Sequence, residues 1–180
     1  MRRRDFIRYL GLGSVAVTIP EAMHAVPAAA TTLCSDKKTK PISGSWFEFQ
    51  HSAAEGGYWN EALAHFTADQ WRRKVFEIRE VGMEYLVLMG VARAGKPFYP
   101  SKIAPRIPMG CDDPLEAVLS AADECGIKFF VSNDFWGDLD AYNMMLDKGV
   151  QTVRFQAMEE IAERYSHHAC FYGWYFPNEA

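Results

Sequence analysis

Four apolar segments recur along the chain, each beginning about forty residues after the one before it. They occupy residues 42–50, 84–90, 127–133 and 171–177, and the second and third are apolar without polar alternation. Strands of this kind are typical of parallel sheets, which are buried on both faces. Parallel strands need long crossover connections, which are usually helices. The repeat therefore predicts an α/β fold with a parallel sheet covered by helices.

Helix signals fall between these strands. Thr67 begins a capping box, and Gly82 ends the helix that follows it. Asp113 caps a second helix, which Gly126 ends. Apolar positions at helical spacing predict a third helix within residues 150–165. Each predicted helix lies between two predicted strands, as crossover connections require.

Two architectures satisfy this order of elements, a doubly wound sheet and a (β/α) barrel. A dinucleotide-binding sheet needs a glycine-rich turn after its first strand, and residues 50–57 lack the GxGxxG spacing. We therefore predict a parallel barrel of TIM type. A complete barrel needs eight units and about 250 residues, whereas this chain of 180 residues contains four units. We expect residues 42–180 to be the N-terminal half of such a barrel.

The N-terminal segment has the features of an export signal. Arg3 and Arg4 precede a mildly apolar stretch, and the pattern resembles a twin-arginine signal. Small residues at positions 26–30 suit a signal peptidase. We expect residues 1–30 to be the signal peptide and residues 31–41 a linker. The twin-arginine translocase would then deliver the protein to the periplasm or the medium.

Composition and motifs exclude several other functions. A net charge of −4 gives no electrostatic attraction to nucleic acids or acidic membranes. No apolar run approaches the roughly 18 residues of a membrane span. The sequence contains no HExxH, P-loop or Gly-x-Ser-x-Gly motif. We therefore expect no nucleic-acid partner, no membrane span, no cofactor and no metal.

The active site of a barrel lies at the carboxyl ends of its strands. The predicted ends carry carboxylates, amides and aromatic rings, a combination that suits carbohydrate, because rings stack on sugars and carboxylates catalyse reactions at the anomeric carbon. The candidate site residues at these ends are Glu48, His51, Tyr99, Asn133, Asp134, Trp136, Asn178 and Glu179. Period-two alternation predicts that Phe171, Gly173, Tyr175 and Glu179 face the barrel interior, whereas Tyr172 and Trp174 face the helices.

Other polar residues are predicted to lie away from this site. His167 and His168 precede the fourth strand and so belong to the opposite end of the sheet. Glu159 and Glu160 are predicted on a solvated helix face. Cys125 and Cys170 lie close to the starts of neighbouring strands, so that a disulfide between them and two buried thiols are both compatible with the sequence.

Several segments resemble a bacterial family called domain of unknown function 4434. They are GSWFEFQH (44–51), WNE (59–61), GMEYLVL (82–88), FYPS (98–101) and FYGWYFPNE (171–179). That family resembles glycoside hydrolases with TIM barrels. The Asn-Glu pair after the fourth strand is similar to the pair of clan A glycosidases. The resemblance implies that Asn178 contacts the sugar 2-hydroxyl and that Glu179 is the acid/base.

The sequence departs from that pattern in its second carboxylate. A retaining glycosidase needs another carboxylate about 5–5.5 Å from the first, usually supplied after the seventh strand. Only Glu48 or Asp134 could replace it here, and neither matches the family position. We therefore expect a fragment of an exported glycoside-hydrolase-like protein, inactive as the chain of 180 residues. The alternative is a non-catalytic carbohydrate-binding or assembly protein that works as a half-barrel.

Replacing Arg3 and Arg4 with lysine tests the export signal. The double variant should remain as an uncleaved precursor in the cytoplasm, because the translocase recognises the arginine pair. Cell fractionation followed by immunoblotting measures this. Normal export of the variant in a strain that lacks the translocase would contradict the prediction.

Overall fold

The predicted strands form one parallel sheet in a computed structural model of the protein, which describes residues 41–50, 61–134, 136–137 and 146–176. The elements are β1 (Gly44–Phe47), α1 (Glu61–Ala64), α2 (Ala68–Glu80), β2 (Tyr85–Leu88), β3 (Ala92–Arg93), β4 (Lys96–Pro97), α3 (Pro114–Cys125), β5 (Lys128–Ser132), α4 (Lys148–Tyr165) and β6 (Phe171–Tyr175). The main sheet has the order β1-β2-β5-β6, and β3 and β4 form a separate antiparallel pair.

The strand order follows the chain order. β1 pairs with β2, β2 with β5 and β5 with β6, and every pair is parallel. A doubly wound sheet contains a point at which the strand order reverses, and these four strands show no reversal. The prediction of an α/β fold with a parallel sheet is confirmed.

Two helices begin at the capping residues that the sequence predicts. Thr67 and Gln70 form the complete capping box of α2. Asp113 caps α3, and Gly126 ends it in the left-handed conformation. Asp147 caps α4, so that this helix begins two residues before the predicted position. Within the described part of the chain, no helix is long and apolar enough to cross a membrane.

The core lies between one face of the sheet and the helices. Phe47, Leu86 and Phe129 are almost inaccessible on that face. They pack in a single cluster with helix residues that include Trp71 and Ile161. Burial of each such side chain contributes about 1.5–3 kcal/mol, and this contribution holds the helices against the sheet.

The other face of the sheet, here called the open face, carries Trp46, Tyr85, Phe130, Tyr172 and Tyr175. The rings of Trp46 and Tyr175 lie 5.1 Å apart, although their strands are at opposite edges of the sheet. Three strand spacings in a flat sheet would separate these edges by about 14 Å. The sheet is therefore strongly curved, and the open face is its concave side.

A bulge changes which residues of β6 reach the open face. Phe129 pairs with Phe171, but Phe130 pairs with Gly173, so the register shifts by one residue. Phe171 packs against the core, while Tyr172 contacts Phe130 with ring centroids 5.2 Å apart. The predicted sides of Phe171 and Tyr172 are therefore wrong, because the bulge interrupts the alternation.

Cys125 and Cys170 are free thiols. The Cys125 Sγ lies 3.8 Å from the Ala122 carbonyl oxygen, and the Cys170 Sγ lies 3.2 Å from that of Leu119. Both thiols therefore donate to carbonyls of α3 rather than bonding to each other. The structure has the two thiols and not the disulfide.

Replacing Asp113 with alanine should destabilise the fold, because Asp113 joins two helices. Its carboxylate caps α3 through the Glu116 N–H and accepts the Tyr165 hydroxyl of α4 at 2.8 Å. Losing the cap costs about 1 kcal/mol, and leaving the hydroxyl unpaired adds roughly 1–2 kcal/mol. Urea unfolding measures the sum.

The matched control is Asp112→Ala. Asp112 is fully exposed and forms a surface ion pair with Arg106, so its loss should change the free energy of unfolding little. Equal destabilisation by the two variants would show that Asp113 does not link the helices.

Candidate functional site

Polar residues follow β1 and β5 at the carboxyl edge of the sheet. Glu48 comes directly after β1 and is half-buried. Asn133 and Asp134 come directly after β5, and the Asn133 N–H donates to the Tyr175 carbonyl oxygen of β6 at 3.2 Å. Because the strands are parallel, their carboxyl ends meet at one edge, as predicted for a barrel.

A buried ion pair joins this edge of the sheet to α4. Arg154 of α4 donates from its Nη2 to Asp134 Oδ1 at 2.9 Å, and the two side chains are 7% and 2% exposed. The Asp134 carbonyl oxygen also accepts the N–H groups of Val91 and Ala92, at 3.3 Å each. Asp134 therefore ties the segment after β2 to α4.

Tyr99 lies in the buried core of the protein. It has no accessible surface, and its hydroxyl donates to Glu160 Oε2 at 3.0 Å. Burial and then the charge of Glu160 raise the pKa of Tyr99 well above its ordinary value. The side chain is used in packing and hydrogen bonding in this structure, and the predicted contact of Tyr99 with sugar stays a prediction.

Trp136 and Asn133 are also buried, at 5% and 2% exposed. The Trp136 ring contacts Tyr99 edge to face, with centroids 6.5 Å apart. Its Nε1 is buried and has no hydrogen-bond acceptor among the described residues. The Asn133 amide lies 3.6 Å from the Met158 sulfur. Both side chains are buried in this structure, and their predicted contacts with substrate stay predictions.

Glu160 belongs to the interior and not to the solvated face predicted for it. It is 9% exposed and accepts three hydrogen bonds, from the Tyr99 hydroxyl, the Ser101 hydroxyl and the Lys102 N–H. One feature of the sequence indicates this burial. Glu160 lies three residues after Ala157, which is buried, and residues three apart share a helix face. Glu160 fixes the segment after β4 to α4.

The remaining candidates are His51, Asn178 and Glu179. All three lie outside the described residues, so their predicted roles stay predictions. Of the predicted carboxylates that the structure describes, Glu48 is half-buried and Asp134 is buried. Asp134 is engaged by Arg154, which makes it a poor substitute for a second catalytic carboxylate.

A parallel sheet in consecutive order, with polar residues at its carboxyl edge, places the protein in the α/β class. Residues 42–180 match the family described as Domain of unknown function (DUF4434). The chain belongs to this family. No curated protein matches the sequence significantly.

Solved structures with similar folds include two α-L-fucosidases from Bacteroides thetaiotaomicron. One, described as putative, has a TM-score of 0.53 and 14% identity, over 86% of this chain and 46% of its own. The other, of family GH29, has a TM-score of 0.45 and 18% identity, over 74% of this chain and 38% of its own. The chain thus spans less than half the length of either. The first similarity shows a shared α/β fold.

Replacing Glu160 with alanine should loosen the segment after β4. The change removes a charged acceptor and leaves the Tyr99 hydroxyl buried without a partner, at a cost of about 2–4 kcal/mol. Urea unfolding measures the loss in the free energy of unfolding. Faster hydrogen exchange at the Lys102 amide would show that the destabilised segment is the one held by Glu160.

Glu159→Ala is the control, because Glu159 is the exposed neighbour of Glu160 on the same helix. The Glu159→Ala variant should have the same free energy of unfolding as the unaltered protein. A Glu160→Ala variant of unchanged stability and exchange would show that the three hydrogen bonds do not hold this segment.

Proposed function

We propose that the protein is an exported glycoside-hydrolase-like protein that acts on carbohydrate at the carboxyl edge of its sheet. The observation that carries the proposal is the consecutive parallel sheet, with its similarity to a putative α-L-fucosidase over 86% of this chain. Fold alone does not define activity, so the proposed activity depends also on the site residues. The proposed architecture is the first four strand–helix units of a TIM-type barrel.

Glu179 is the proposed acid/base, and Asn178 the proposed contact to the sugar 2-hydroxyl. They follow β6 in sequence after two intervening residues, as the catalytic pair of a barrel glycosidase follows its fourth strand. Glu48, at the end of β1, is the proposed further contact to substrate, together with His51 in the segment that follows. The layer of Asp134, Trp136 and Tyr99 would keep these strand ends in place, because catalysis requires geometry fixed to within about 0.5 Å.

Hydrolysis with retention needs a second carboxylate about 5–5.5 Å from Glu179. Glu48 is the candidate among the described residues, since Asp134 is held by Arg154. Because neither residue occupies the family position, we propose that the chain of 180 residues binds carbohydrate without measurable turnover.

A second candidate function is non-catalytic carbohydrate binding on the open face. Trp46 is 56% and Tyr172 is 55% exposed there. Exposed rings on a concave surface suit the apolar faces of sugars. In this case the sugar would bind to the sheet itself rather than at its carboxyl edge.

The N-terminal arginine pair is the basis for the proposed export by the twin-arginine route. The protein would then bind carbohydrate in the periplasm or outside the cell.

Ligand-observed NMR with a panel of nitrophenyl glycosides, an α-L-fucoside among them, tests the proposal. We expect binding by the unaltered chain. In a longer form of the protein that supplies the second carboxylate, Glu179→Gln should lower kcat/KM roughly 10²–10⁴-fold for glycosides whose leaving group is poor. The loss should be much smaller for a good leaving group, which needs little protonation.

Trp46→Ala distinguishes the two candidates, with Phe155→Ala as its control, because Phe155 is a similarly exposed ring (59%) on α4. Loss of binding in Trp46→Ala alone favours the open face. Binding that persists in Trp46→Ala but changes in Glu179→Gln favours the carboxyl edge. No binding and no hydrolysis of any glycoside would contradict both.

A further inference from the structure

Three potential metal ligands meet at the amino end of the sheet, opposite the proposed carbohydrate site. Asp123 lies in the last turn of α3, and His168 and Cys170 lie in the segment that leads into β6. A carboxylate oxygen of Asp123, a ring nitrogen of His168 and the sulfur of Cys170 all lie within 4.8 Å of one another. The structure thus gathers oxygen, nitrogen and sulfur donors at one point.

The burial of the three residues differs in a way that suits an ion site. His168 is 6% exposed and Cys170 is 5% exposed. The Asp123 side chain is 30% exposed, so the cluster is accessible to solvent at Asp123. This access gives an ion a path of entry and leaves room for a bound water.

Neighbouring groups hold the three ligands in place. The His168 Nδ1 lies 2.7 Å from Asp123 Oδ2, while its Nε2 lies 3.2 Å from Glu116 Oε2. A carboxylate on the far ring nitrogen fixes the tautomer of metal-binding histidines and orients their rings. The Cys170 N–H donates to Asp123 Oδ1 at 2.6 Å, which leaves Oδ2 turned toward His168.

We propose that Asp123, His168 and Cys170 bind a zinc ion. Zinc takes tetrahedral sets of carboxylate, imidazole and thiolate ligands, and a water would complete the set here. Cys170 would bind as the thiolate, giving its proton to solvent and releasing the Leu119 carbonyl oxygen. The Nδ1 of His168 would bind as the free base, while its Nε2–H is donated to Glu116.

The choice of ion follows from the donors. Magnesium and calcium prefer oxygen ligands alone, whereas a sulfur and an imidazole select softer ions. Glu116, His167 and His168 form a second group of nearby donors. That group lacks sulfur, and His167 is exposed. The set with Cys170 is therefore the better zinc site.

Titration of the reduced, metal-free chain tests the proposal. Zinc should bind with a stoichiometry of one and raise Tm, because an ion that binds only the folded state stabilises it. Cobalt(II) in place of zinc should give the intense near-ultraviolet absorption of a thiolate–cobalt bond. Magnesium at the same concentration should neither raise Tm nor displace cobalt.

Variants locate the site. Cys170→Ser should remove the thiolate–cobalt absorption and weaken zinc binding at least tenfold, and His168→Gln should weaken zinc binding by a similar factor. Cys125→Ser is the matched control, because Cys125 ends the same helix that carries Asp123 and its thiol is also free. It should leave the absorption and the affinity unchanged. Far-ultraviolet circular dichroism of each metal-free variant confirms folding.

Two results would overturn the proposal. One is the absence of zinc binding and of cobalt absorption in the unaltered chain, which needs no variant to fold. The other is absorption that survives Cys170→Ser but disappears in Cys125→Ser. Neither result bears on the carbohydrate site, because that site lies at the other end of the sheet.

Discussion

The buried ion pair between Asp134 and Arg154 joins the end of β5 to α4. The Asp134 backbone also accepts two N–H groups from the segment after β2, so one residue holds three parts of the chain together. Removing one member of such a pair costs about 3–5 kcal/mol, because the other charge is left buried and uncompensated. The Glu160 contacts lie on the same helix, and the two carboxylates together fix the packing under the carboxyl edge.

The sequence predicted the elements well because their signals are local. Capping at Thr67 and Asp113 gave two helix starts to the residue, and continuous apolar runs gave the four strands. The burial of Glu160 was not predictable in this way. Carboxylates are mostly exposed, and the Tyr99 hydroxyl that accounts for its burial lies 61 residues away.

The bulge opposite Phe129 and Phe130 was missed for a related reason. Alternation along one strand assumes an uninterrupted ladder, and only the pairing with β5 shows that β6 contains an extra residue. Likewise, the sequence placed Asn133, Asp134 and Trp136 after the end of their strand. It did not predict how deeply these side chains are buried. The position of a residue along a strand follows from the sequence. The exposure of its side chain depends on which groups of α4 and of the preceding loop cover it.

The consecutive order of the four strands has a consequence for how the chain assembles. Each strand pairs with the next strand along the sequence, so the contacts that build the sheet join units that leave the ribosome one after the other. Folding can therefore proceed from the amino terminus, with each finished strand serving as the template for the one that emerges next. A doubly wound sheet, whose order reverses, has to wait for a distant strand before its centre is complete.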